Sequence, residues 1–142
     1  MSRKIVHVTR RERFNAAHKL WNPAWDEAKN AAVFGKCSNP NWHGHNYDLF
    51  VTVKGEPDPE TGFCIDLKFL GELVRQKVIS KVDHKNMNLD VEFMSGINPS
   101  TENIAIAIWE QIEEDIARKG CTLHSVKLYE TENNIVEYFG GH

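Results

Sequence analysis

Residues 43 to 53 read His-Gly-His-Asn-Tyr-Asp-Leu-Phe-Val-Thr-Val, and their odd-numbered positions constrain the fold more than any other stretch. His43, His45, Tyr47, Leu49, Val51 and Val53 fall on one parity, with Asp48 and Thr52 on the other. This is the period of a strand with one covered face. Such a strand needs a partner and a covering layer. Ile5 to His18 supplies a candidate partner: Val6, Val8, Phe14, Ala16 and His18 share one face, and Arg11 and Arg13 take the other.

The remaining segments extend this pattern. Pro23 to Gly35 is irregular or weakly helical. Glu56 to Gly62 is dense in turn formers and leads to a short strand at Phe63–Ile65. Asp66 is placed to cap a helix in which Leu67, Leu70, Val74 and Val78 repeat, ending near Val82. After Pro99, with Ser100 or Thr101 as cap, Ile104, Ile108, Ile112 and Ile116 recur at i+4, and Gly120 supplies the stop. Leu123–Glu130 and Ile135–Phe139 read as closing strands joined at Asn133-Asn134. The expected class is α+β, with an antiparallel sheet covered on one face by two helices and residues 1–142 forming one domain. A sheet this small leaves edges exposed, so copies of the chain are expected to associate.

Composition narrows the partners. Seventeen basic and 20 acidic side chains give 142 residues a net charge of −3, which argues against nucleic acid. No apolar run approaches the roughly 18 residues of a membrane helix, and the first residues lack a signal-type apolar stretch. Three cysteines, Cys37, Cys64 and Cys121, fit a reduced cytoplasm better than a disulfide framework.

Seven histidines carry the chemistry. His43 and His45 point the same way at the end of an apolar row, and His18 ends its own strand on the matching parity. If the two strands pair, three neutral imidazoles converge on a divalent metal and leave a fourth position open. Hydrogen-bonded core histidines are the alternative. Cys37, in a loop six positions before His43, reads either as a base or nucleophile with a lowered pKa or as a fourth ligand. Asp83-His84 is either an oriented acid/base pair or a helix-end cap. Glu130 ends the row His124, Val126, Leu128; it either faces the N–H edge of a pterin-like ring or has reached solvent. Glu102 suits the dipole of its helix. Cys64 and Cys121 have no evident role.

Five blocks in order resemble the 6-pyruvoyl-tetrahydropterin synthase family: Phe14-Asn15-Ala16-Ala17-His18; Gly35-Lys36-Cys37 through His43-Gly44-His45-Asn46-Tyr47; Asp83 to Asn88; Pro99 to Asn103; and Tyr129 to Asn134. The resemblance implies a tunnelling fold, with a four-stranded antiparallel sheet and two helices on one side, assembled as a barrel and a homohexamer. It implies Zn2+ on His18, His43 and His45, catalysis by Cys37, Asp83 and His84, and substrate binding by Glu130, Thr101 and Glu102. The implied substrate is a pterin triphosphate, 7,8-dihydroneopterin triphosphate, which loses triphosphate. The sites are expected between subunits, so Cys37 and Asp83-His84 are not required to come from one chain. Five residues between Cys37 and His43, and Glu132-Asn133-Asn134, resemble the pyruvoyl type more than the sister 6-carboxy-tetrahydropterin synthases of queuosine biosynthesis. Two positions depart from the pattern: Trp42 is bulky for the residue before the histidine pair, and Met87 replaces a usual leucine. A non-catalytic pterin-binding module with structural zinc is the reading from a different class.

Overall fold

A computed structural model describes residues 3–141. Its frame is the antiparallel pair β1 (Val6–His18) and β2 (His43–Gly55), which run in unbroken register from Val6 opposite Gly55 to His18 opposite His43. β4 (Thr122–Tyr129) pairs antiparallel with the other side of β2, shifting register at Thr52/Val53, and β5 (Ile135–Tyr138) pairs with β4. The fifth strand, β3 (Lys85–Asn86), lies parallel to β1, giving the order β3-β1-β2-β4-β5. The expected four-stranded sheet is therefore corrected to five strands. Two backbone hydrogen bonds, from His84 N–H to Asn15 O (2.6 Å) and from Met87 N–H to Ala17 O (2.8 Å), add β3, which is too short to show an alternating pattern. Phe63–Ile65 forms no strand, because Asp58 closes that segment into turns by accepting from Gly62 N–H and donating to Phe63 O.

Three helical runs accompany the sheet. α1 (Glu27–Phe34) starts where the Asp26 carboxylate accepts from Lys29 N–H. α2 (Leu67–Val74) is capped by Asp66 as expected and continues through a π turn at Arg75–Ile79 into α3 (Ser80–Val82). α4 (Thr101–Ala117) is capped by Ser100, whose hydroxyl accepts from Asn103 N–H. Its row Ile104, Ile108, Ile112 and Ile116 is fully buried against Leu49, Val51, Val126 and Leu128 of the sheet and Leu70, Val74 and Val78 of the neighbouring helix. Leu67, counted with that helical row, is instead exposed at its first turn. Truncating one of these isoleucines to Ala costs about 2–5 kcal/mol.

The inner face of β1 is not apolar throughout. Between Val8 and Phe14 it passes through Arg10 and Glu12. The Glu12 carboxylate accepts from Arg75 at 3.0 Å and from Arg10 at 3.4 Å. Gly71 makes room for these groups, since a Cβ there would lie 3.1 Å from Arg10 Cζ and 3.0 Å from Arg75 Nη1. Towards the other end of β1, Phe14 and Ala16 are buried again and His18 closes the row.

Candidate active site

The β1–β2 register sets His18 directly opposite His43, and strand alternation returns His45 to the same face. Their rings cluster with centroids 4.6 Å apart for His18–His43, 5.2 Å for His18–His45 and 5.0 Å for His43–His45. One ring nitrogen from each lies within 4.8 Å of the other two. His18 is 1% exposed; its Nδ1–H donates to the Pro99 carbonyl at 2.7 Å, leaving the Nε2 lone pair aimed at the group. His18 Nε2, His43 Nδ1 and His45 Nε2 are all buried without a hydrogen-bond partner. Burial pulls the His18 pKa below the usual imidazole range, against the Pro99 hydrogen bond. Burial and the neighbouring His45 do the same to His43. Neutral, converging, unpartnered imidazoles are the donor set that a borderline divalent cation such as zinc takes, so these residues fit the metal that the sequence implies.

Glu130, just beyond β4, faces the same cluster. Its Oε2 is 3.8 Å from His18 Nε2 and its Oε1 is 3.9 Å from His45 Nε2. Thr101 Oγ1, in the first turn of α4, donates to Oε2 at 2.5 Å. The end of β4 and the start of the long helix thus meet at one carboxylate. Glu102, on the same turn, is exposed.

Cys37 sits in a 3₁₀ turn, Gly35–Ser38, held to β1's exit by the hydrogen bond from Leu20 N–H to the Cys37 carbonyl at 2.7 Å. Burial, and after it the Glu130 carboxylate, push its thiol pKa up. The lowering expected of Cys37 depends on a nearby cation; in the protein alone burial, and then the Glu130 carboxylate, set the opposite direction.

Asp83 and His84 are not brought to this cluster within one chain. Asp83 Oδ1 accepts from Asn15 N–H at 2.9 Å at the edge of β1, and its Oδ2 lies 3.2 Å from His84 Nδ1. His84 takes a left-handed backbone (φ 60°) that turns its ring outward, 81% exposed. Both border an open recess of about 570 Å³ lined also by Arg13, Asn15, Asn46 and Asp48, on the sheet parity opposite to the histidines, and by Phe14 and Tyr47, on the same parity as the histidines.

Three features extend the sequence reading, two at the site and one at the far end of the sheet. Tyr47, counted with the apolar row, is 1% exposed with a buried hydroxyl that has no partner; its parity with His43 and His45 was the available signal. Trp42 adopts φ 57° and buries an unpartnered indole N–H. Cys64 and Cys121 meet at the far end of the sheet, where the Cys121 thiol donates to the Cys64 carbonyl at 2.9 Å.

The family model for 6-pyruvoyl tetrahydropterin synthase matches residues 7–141. A 6-pyruvoyl tetrahydrobiopterin synthase of Pongo abelii is 44% identical over 135 residues, covering 95% of this chain and 92% of that protein. A 6-carboxy-5,6,7,8-tetrahydropterin synthase of Rickettsia typhi is 28% identical over 149 residues, 94% of this chain and 99% of that one. The structure of Caenorhabditis elegans 6-pyruvoyl tetrahydropterin synthase superposes with a TM-score of 0.92 at 37% identity, covering 99% of each chain. With the imidazole cluster facing a carboxylate, and a match that runs nearly end to end, the chain belongs to the 6-pyruvoyl tetrahydropterin synthase family.

Proposed function

We propose that this enzyme is a zinc-dependent lyase that eliminates triphosphate from 7,8-dihydroneopterin triphosphate and leaves 6-pyruvoyl-tetrahydropterin. One observation carries the reading: three buried, unpartnered imidazole nitrogens lie within 4.8 Å of one another, and Glu130 faces them at 3.8 and 3.9 Å from two of them. Zinc held by His18, His43 and His45 would supply Lewis acidity to the substrate's side-chain hydroxyls and acidify the adjacent C–H.

The chain's own residues take the remaining roles. Glu130, steadied by Thr101, accepts hydrogen bonds from the N–H edge of the pterin and fixes the ring over the imidazoles. Glu102 is the further residue assigned to substrate binding. Cys37 takes a proton from the side chain, and His84, oriented by Asp83, is the second acid/base. Because Asp83-His84 faces the opposite side of the sheet, the complete site takes Cys37 from one copy and Asp83-His84 from another. This supports assembly as a homohexamer of two trimers, each copy a single domain spanning residues 1–142. Among the described residues no helix is long and apolar enough to cross a membrane, which accords with action in the cytoplasm.

The greater identity to the pyruvoyl-type relative than to the 6-carboxy one favours the pyruvoyl product. The test is mass spectrometry of the product formed by metal-loaded protein. Pyruvoyl-tetrahydropterin with one equivalent of triphosphate is expected; a side chain with fewer carbons would assign the 6-carboxy activity, and no triphosphate release would overturn the lyase reading. Cys37→Ala should retain zinc and lose turnover.

A further inference from the structure

The hydroxyl of Tyr47 is buried beside the candidate site without a use in the function proposed above. The ring is 1% exposed, stacks on Phe14 at a centroid distance of 4.8 Å, and lies 5.8 Å from the His45 ring and 6.2 Å from His18. Its oxygen is buried and bonded to nothing. A phenylalanine would fill the same volume without leaving a buried polar group unpaired, which destabilises a fold.

The surroundings show what this donor faces. Tyr47 and Glu130 flank the same two histidines: the Tyr47 ring packs against the rings of His18 and His45, and Glu130 lies 3.8 and 3.9 Å from their Nε2 atoms. The charges that bear on its hydroxyl are those of Glu130 and Cys37. By its ring contacts the phenol therefore lies beside the imidazole cluster, with its O–H as an unspent donor. The three neutral imidazole nitrogens offer lone pairs and the carboxylate accepts hydrogen bonds, so beside them the phenol O–H is a strong donor, where the Cys37 S–H is a weak one.

We propose that Tyr47 O–H donates a hydrogen bond to a side-chain oxygen of the bound pterin, at the carbon that passes from carbinol to ketone. This rests on the function proposed above. As the carbon-bound proton leaves to the base, its electron pair moves into the adjacent ring C=N bond, whose nitrogen is protonated. The enol left behind then gives up its O–H proton as the ring carbon is protonated, and its oxygen carries enolate charge on the way to the ketone. A fixed donor in a dry site stabilises the developing charge more than the starting hydroxyl. Histidines and a carboxylate alone provide no such donor.

The test is Tyr47→Phe in metal-loaded protein, with binding and turnover read separately. Calorimetry compares a pterin bearing a ketone at the first side-chain carbon with one lacking side-chain oxygens. Wild type is expected to prefer the ketone, and the variant to lose about tenfold of that preference while keeping its zinc. On the triphosphate substrate kcat is expected to fall about 10²-fold with KM within roughly threefold. The melting temperature of chelated Tyr47→Phe is expected to be equal to or above that of wild type, since an unpaired hydroxyl has been removed. If the variant fails to fold, Tyr47→Met, which preserves the volume, carries the same comparison. Unchanged ketone preference and kcat, equal losses for both pterins, or a wild type without ketone preference would each overturn the role of Tyr47. A wild type that binds neither pterin would instead overturn the proposed function.

Discussion

Thr101 and Glu130 are 29 residues apart in sequence, yet the threonine hydroxyl donates to the glutamate carboxylate at 2.5 Å. The contact fastens the first turn of α4 to the end of β4 and fixes the direction of the carboxylate beside the imidazoles. Thr101→Val keeps the shape and removes the donor. It should weaken pterin binding about 5- to 30-fold by freeing the carboxylate to rotate, while leaving zinc content unchanged. Calorimetric titration with a pterin checks this, and an unaltered affinity would deny Glu130 its anchoring role.

His18 and His45 should separate ligation from stability. Both alanine variants are expected to lose zinc, measured by metal analysis after dialysis. His18→Ala also empties a fully buried site and leaves the Pro99 carbonyl without its donor, so its chelated form should melt roughly 5–10 °C lower. The His45 side chain is 20% exposed and bonds no protein group, so its removal should leave the chelated melting temperature nearly unchanged. Equal melting shifts would refute the distinction.

The chelated protein should lose stability on mild acidification. Burial holds His18 and His43 below the ordinary imidazole range. Between their folded values and about 6.5, the unfolded chain binds protons that the folded chain does not. Stability from these groups is therefore complete above about pH 6.5 and declines as pH falls below it. Urea midpoints measured from pH 8 to 5 should fall on the acid side, less steeply in His43→Ala; a flat profile would contradict the assignment.

The separation of Cys37 from Asp83-His84 within the chain can be tested by complementation. Cys37→Ala and His84→Ala should each be inactive. Unfolded together and refolded as a mixture, they should recover roughly a quarter of wild-type activity if every site draws one residue from each of two adjacent copies. No recovery would place both groups of a working site in one chain.

The parity of residues 43–53 and of residues 5–18 made the two long strands, their inner face and the histidine cluster legible, because alternation carries both burial and direction. Helix caps at Asp66 and Ser100 were legible for a local reason, since each side chain bonds its own first turn. What was not legible depends on groups distant in sequence. β3 is two residues supported by Asn15 and Ala17, the Glu12–Arg10–Arg75 cluster needs a helix laid across the strand, and Cys64 meets Cys121 only after folding. Phe63–Ile65 erred the other way: three residues fit a strand period, but turn bonds around Asp58 cost less than a ladder with no partner. Tyr47 shows the limit of parity, which finds the face and cannot say that a hydroxyl on it has gone unbonded.

The hydrogen bond from His18 to Pro99 makes an ion site and a helix start parts of one coupled equilibrium. Pro99 precedes the cap residue of α4, so fraying of that first turn misaims the His18 lone pair, and an ion pulling on Nε2 holds the turn closed. Linkage requires the two effects to be equal in free energy. Backbone amides at the start of α4, which never touch the ion, therefore exchange with solvent at a rate set by its occupancy, and a helix becomes the reporter for a centre built on strands.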